Sequence, residues 1–348
     1  MRPLPFLLIP TVALVAQAPA NVDLVQRFNT ELPGVNQMLK ELKTQEALTK
    51  VQGLIPAERP AFNGANLQTI VQSLDSTPGL LSLYKLWANV ASEAGHWEKA
   101  VEVQEKRAQV ARAVLADLEK AQAPIAAQWK KVAQDSSEYI TKNEPRKKEL
   151  EAKVNAFTVE REALNADIKA GKKKLTKKDV EEFNARAAQV QQDQQDLEQI
   201  LATLPVHKQN LTNAPKVAKI LADNRKEADG MVKAADEAVA KAKMVVSVQN
   251  DEITAFNTKQ VMQKVKIVGR KNWVDAVLRN HDNVTKRTLN NETKPATPQE
   301  QVAFLNRLLV LDPGNAGTQK ALDNLKAGKD AFVKEPGPAK KASPKKKK

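Results

Sequence analysis

The chain has 348 residues, with 55 Lys and Arg against 41 Asp and Glu, a formal charge of +14. Only 4% aromatic residues and 12 glycines argue against a β-sandwich or barrel, while the Ala-, Lys-, Glu-, Gln- and Leu-rich middle has the composition of long helices. The lack of cysteine excludes disulfides, thiol catalysis and thiolate metal sites, and three scattered histidines (His96, His207, His281) are a poor basis for a metal centre.

The first segment reads as an export signal rather than as fold. Met1-Arg2 is a short positive start, Phe6 to Val15 is mostly apolar, and Ala16-Gln17-Ala18 is a small-x-small cleavage pattern. Residues 1–18 are therefore expected to be a signal peptide, too short for a comfortable membrane span. The expected location is the periplasm or the exterior of a bacterial-type cell.

Residues 19–145 read as an N-terminal helical region. Prolines 33, 56 and 60 are expected to break its beginning into short helices. Thr77-Pro78 reads as a helix start, with Thr as N-cap and Pro in the first turn. Gly95-His96 ends that helix, and Trp97 opens the next. From Trp97 to Ala170 there is no glycine, and only Pro124 and Pro145 interrupt the helical pattern. Each removes a backbone donor, so the spacing predicts separate helices over 97–122, 125–142 and 146–169.

The strongest periodicity lies in 146–204. Leu150, Val154, Phe157, Arg161, Leu164 and Ile168 follow 4-3-4-3-4 spacing. Val180, Phe183, Ala187, Val190, Gln194, Leu197, Leu201 and Leu204 follow the same rhythm. Gly171 suits the end of the first arm, and Thr176 with Asp179 resembles a capping box. This predicts an antiparallel coiled-coil hairpin with arms of roughly 35–40 Å, closed by Pro205. Arg161 reads as an edge residue whose stem passes the seam. Residues 205–289 form a less periodic helical return, 290–298 a polar linker, and 299–335 a second helix pair. Residues 336–348 are a lysine-rich tail that cannot bury a core.

Two stretches resemble fragments of tetratricopeptide repeats. In the first, about 84–112, Ala88 is small where two helices would cross. Gly95-x-Trp97-x-x-Ala100 matches the inter-helix turn of that family. In the second, about 299–326, Leu308 to Ala316 includes Asp312-Pro313 and resembles the proline turn between successive helices. Gln104 and Arg107 depart from the pattern, and no 34-residue period links the stretches. The resemblance implies helical hairpins and a role in protein–protein contact.

No nucleophile elbow, phosphate loop, dinucleotide fingerprint or zinc-protease motif occurs in the chain. His96 reads as structural, His207 as solvent-exposed, and His281-Asp282 lacks a sequence-adjacent nucleophile. Trp87 and Trp97 are expected to pack the first helix pair. The strongest chemical statement is positive charge at two places. One is the hairpin tip: Lys172, Lys173, Lys174, Lys177 and Lys178. The other is the tail: Lys340, Lys341, Lys345, Lys346, Lys347 and Lys348. Both would attract polyanions through counterion release, and without interleaved aromatics they do not suggest base stacking.

The expectation is an all-α, non-enzymatic exported scaffold with protein partners and no cofactor. The competing readings are a polyanion-binding protein (anionic lipid, polysaccharide or DNA) and an oligomeric holdase-type chaperone.

Overall fold

The computed structural model describes residues 20–263, 269–289 and 292–333. The expected signal peptide and the tail from Pro336 on lie outside the described residues. Among the described residues the fold is all-α apart from two short paired strands. In order, the helices are α1 (Ala20–Lys40), α2 (Thr44–Leu54), α3 (Leu67–Glu93), α4 (Trp97–Lys169), α5 (Lys177–Met262), α6 (Arg270–Arg279) and α7 (Asp282–Thr285). Strands β1 (Lys286–Leu289) and β2 (Glu292–Pro295) follow, then α8 (Pro298–Leu311) and α9 (Ala316–Lys326).

Pro56 and Pro60 lie in the break between α2 and α3 as expected, but the other prolines do not divide the helices as the sequence suggests. Pro124 and Pro145 lie inside α4, Pro205 and Pro215 inside α5, Pro78 inside α3 and Pro33 inside α1. All six are exposed. A mid-helix proline frees the carbonyl four residues back, at a cost of about 3 kcal/mol. On a solvent face water satisfies that carbonyl, and helical turns on both sides hold the backbone. Thr77 is accordingly no N-cap: it is buried inside α3 and its hydroxyl donates to the Ser73 carbonyl at 3.1 Å. The actual cap is Asn66, whose side chain accepts from Thr69 N–H at 3.0 Å.

The polar segment expected as a linker is also different. Residues 286–289 and 292–295 pair antiparallel, with Thr288 opposite Thr293 and their hydroxyls 3.3 Å apart. A cross-strand threonine pair suits a small exposed ribbon.

The chain folds as two compact units. The first comprises the described residues of 20–63, 71–116 and 228 onward. One of its apolar clusters joins α1, α2, α3 and the start of α4 through Val35, Val51, Val90 and Val103. Another joins α6 to α9 with Ile253 of α5, around Trp273, Leu305, Leu308 and Leu322. Each fully buried side chain of this kind contributes roughly 1.5–3 kcal/mol. The two helix pairs that resemble tetratricopeptide fragments meet in this unit. Gly95 lies so close to α8 that a Cβ placed there would sit 2.5 Å from the backbone of Asn306 and Arg307.

The second unit comprises 64–70 and 117–227, and is mainly α4 and α5 side by side. Its cross-helix partners are Glu119–Arg225, Gln122–Leu221, Ser136–His207, Arg146–Asp196, Phe157–Phe183 and Glu160–Arg186. One number rises as the other falls, so the helices are antiparallel. Leu150, Leu197, Ile200 and Leu204 are the buried apolar set of the distal part. The expected seam is thus right at Leu150, Leu197 and Leu204 but displaced at Leu201, which is exposed while Ile200 is buried. Arg161 and Gln194 are exposed as well. The pairing does not stop at Pro205. It continues through buried polar residues, including Gln122, Ser136, Asn143 and Asn224.

Candidate functional site

The first unit is organised around one buried cation. Arg307 of α8 is fully buried. Its two terminal nitrogens donate to the two oxygens of Glu98 at 2.7 and 2.6 Å, and Nε donates to Gln249 Oε1 at 2.7 Å. One of the terminal nitrogens also reaches the Gly95 carbonyl at 3.2 Å. Arg307 Cζ lies 4.8 Å from the Trp97 ring centroid. Two-pronged geometry of this kind is the strong form of a charge pair. Glu98 sits in the first turn of α4, where a carboxylate also favours the helix dipole. The Arg307 hydrogen bonds hold its carboxyl below the usual glutamate range.

The turn that presents Glu98 is set by Gly95. Its φ of +82° is the left-handed conformation that closes α3. The His96 N–H returns to the Ala91 carbonyl and the Gly95 N–H to the Ser92 carbonyl, a Schellman closure. Ala100 is buried behind the turn. Trp87 packs the first cluster as expected, against Tyr84. Trp97, expected in the same place, is not part of that cluster: it lies against Arg307 and lines a groove.

That groove is open, has a volume of about 1140 Å³, and lies wholly within the first unit. Trp97, Met244, Val245, Val248, Trp273 and Phe304 give it an apolar lining. Met244 is 61% exposed and Val248 52%. Its charged residues include Glu252, Asp282 and Lys286, and the last two pair with each other at 2.8 Å. The groove therefore offers apolar contact with little net charge. At the second fragment, Asp312 accepts from the Asn315 side chain at 2.8 Å, and Asn315 caps α9. Pro313 is exposed beside it. These two residues shape a turn and do not reach the groove.

In the second unit, the hairpin tip is exposed throughout. Gly171 has φ +70° and closes α4 by the same pattern as Gly95, with Lys172 N–H bonded to the Asp167 carbonyl. Thr176 and Asp179 form the reciprocal cap of α5: Thr176 N–H donates to Asp179 at 2.8 Å and Asp179 N–H to the Thr176 hydroxyl at 3.2 Å. Lys172, Lys173, Lys174, Lys177 and Lys178 are all exposed. Ile168, Leu175 and Val180 are exposed among them. Lys340, Lys341 and Lys345 to Lys348 lie outside the described residues.

Compared with protein-family models, curated proteins and solved structures, the chain matches none.

The histidines hold structural positions. His96 lies beside the Gly95 turn, its Nε2 3.5 Å from the Gln45 amide nitrogen. His207 is not solvent-exposed as expected. It stacks on Tyr139 with centroids 4.0 Å apart, and its Nδ1 is 3.1 Å from the Ser136 hydroxyl. Because α5 continues through Pro205, His207 arrives on the face that meets α4. His281 stacks on Phe332, while Asp282 pairs with Lys286 and not with His281. Among the described residues, no group of three or more His, Asp or Glu is placed to hold a metal ion, and no helix is long and apolar enough to cross a membrane.

Sequence reasoning missed Glu98, Gln249 and Arg307 as one constellation. The available signal was Arg307 within the apolar run Phe304 to Leu311, where a lone cation needs a partner. The groove had a plainer signal in Met244-Val-Val-Ser-Val248, the most apolar run of α5.

Proposed function

We propose that the protein is an exported, non-enzymatic helical scaffold whose first unit takes an apolar segment of a partner protein into the groove beside Arg307. The observation that carries this reading is the exposure of Met244, Val245 and Val248 along one groove with Trp97 and Trp273. Exposed apolar patches bordered by polar groups are the usual mark of contact surfaces. Methionine adapts to varied partners, and tryptophan supplies large contact area at low entropic cost. The paired Asp282 and Lys286 leave little net charge to draw a polyanion there.

The test is recovery of partners from a cell-envelope fraction by the full chain, beside V245E/V248E. A discrete protein retained at high salt by the first and lost by the second supports the reading. Recovery insensitive to the double substitution, or recovery only of polyanions released by salt, overturns it. A second reading, polyanion contact, is favoured by the exposed lysines at the hairpin tip, which belong to the other unit.

A further inference from the structure

We infer that the tip of the hairpin docks on an anionic lipid surface. The proposal is independent of the groove. Ten residues, Lys169 to Lys178, hold six lysines and no acidic residue. The flanking acids are Asp167, Asp179, Glu181 and Glu182; Asp179 caps α5, and Glu182 lies 3.8 Å from Lys178. Lysines outnumber these acids by six to four, so the end of the hairpin keeps a positive excess, concentrated at Lys172, Lys173 and Lys174.

Charge alone would fit any polyanion. The apolar residues choose among them. Ile168 in the last turn of α4, Leu175 in the loop and Val180 in the first turn of α5 are 40%, 37% and 41% exposed. A soluble polysaccharide or nucleic acid backbone gives such side chains no apolar environment. Aromatic rings for base stacking are absent from the sequence between Phe157 and Phe183. A lipid interface satisfies both features: headgroups meet the ammonium groups, and the acyl boundary takes the isoleucine, leucine and valine. Lysine stems extend back to headgroup level while the shorter apolar side chains enter. The tip is small, so the contact is peripheral and reversible.

The two components make separate predictions. Each lysine near an anionic surface contributes about a fivefold factor in partition. K172Q/K173Q/K174Q in the full chain should then weaken sedimentation with vesicles of phosphatidylglycerol in phosphatidylcholine by on the order of a hundredfold. I168S/L175S should weaken it by about tenfold or more, and leave binding to double-stranded DNA unchanged. All five side chains are exposed, so the fold tolerates these changes. Partition into pure phosphatidylcholine should be weak for every form. Vesicle binding unchanged in either variant overturns the proposal. Equal loss of vesicle and DNA binding in the lysine variant, with no effect of I168S/L175S, also overturns it and assigns the tip to soluble polyanions. The groove substitutions V245E/V248E should leave vesicle binding intact, which separates failure here from failure of the scaffold reading.

Discussion

Arg307 and Glu98 meet as a two-pronged ion pair across 209 residues of sequence, with the arginine fully buried and the glutamate side chain about half exposed. This asymmetry decides which partner is dispensable. The desolvation penalty falls on the guanidinium, so removing its counter-charge leaves a buried cation. Glu98→Ala should destabilise the first unit by about 3 kcal/mol. Arg307→Met removes the buried charge together with its penalty, and leaves Gln249 and the Gly95 carbonyl each short of a donor. It should cost only about 1–2 kcal/mol. Urea unfolding of the two variants gives the comparison. A larger loss for Arg307→Met would show that the pair stabilises through arginine packing and not through compensation of its charge.

Two glutamates in this region respond to acid in opposite senses. The Arg307 hydrogen bonds lower the Glu98 pKa in the folded chain. Its contribution is present above the unfolded-state value and is lost as pH falls through the lower folded value. Burial, helped by nearby Glu300, raises the Glu93 pKa. That group costs stability when ionised, so the protein gains as pH falls through the raised value toward the ordinary one. Melting temperature should therefore rise slightly on mild acidification and then fall steeply. Glu93→Gln should remove the rise, increase stability near neutrality and leave the steep fall. A wild-type profile that only falls would refute the assignment of Glu93.

The arms of the hairpin were legible because Leu150, Val154, Phe157, Val190 and Leu197 are strong apolar residues at heptad spacing. The same rhythm continues through Gln122, Ser136, Asn143, His207 and Asn224, where polarity hides it. A hydropathy pattern cannot register a polar residue that is buried because a facing helix satisfies it. Gln122, for example, donates across to the Leu221 carbonyl at 3.2 Å. The prolines misled for a related reason: their type signals a break, whereas their position on the solvent face permits continuation. Gly95 and Trp97 were legible as a turn. Their partner in α8 was not, since nothing in a local window reports a contact formed across two hundred residues.

Gly95 therefore serves two requirements at once. Its φ of +82° strains any side chain, and a Cβ would press on the Asn306–Arg307 backbone at 2.5 Å. That neighbour is main chain and cannot rotate away. Gly95→Ala should cost about 2–3 kcal/mol, more than the usual penalty for a left-handed alanine alone. It should also move α8 off the α3–α4 turn. Hydrogen exchange should then quicken in 298–311 more than in α2. A loss confined to about 1 kcal/mol with α8 protection unchanged would mean that only the backbone conformation matters.

Stability along the second unit should fall toward the tip. Buried side chains are frequent from Leu118 to Leu150 and from Leu197 to Leu221, while Phe157 and Phe183 are only half-buried. From Arg161 to Lys178 only Leu164 is even partly covered. The ion pairs do not compensate, because exposed pairs such as Glu160–Arg186 contribute roughly 0.2–1 kcal/mol each. They fix register more than they hold the helices together. Amides of 158–190 should then exchange by local opening, at least about tenfold faster than those of 130–150 and 197–215. Leu150→Ala should cost about 2–5 kcal/mol and extend the fast region inward, whereas Phe157→Ala should cost less because part of that ring is already in water. Mass-spectrometric exchange resolves both effects. Uniform protection to the end of the hairpin would mean that the tip is held by contacts other than this seam.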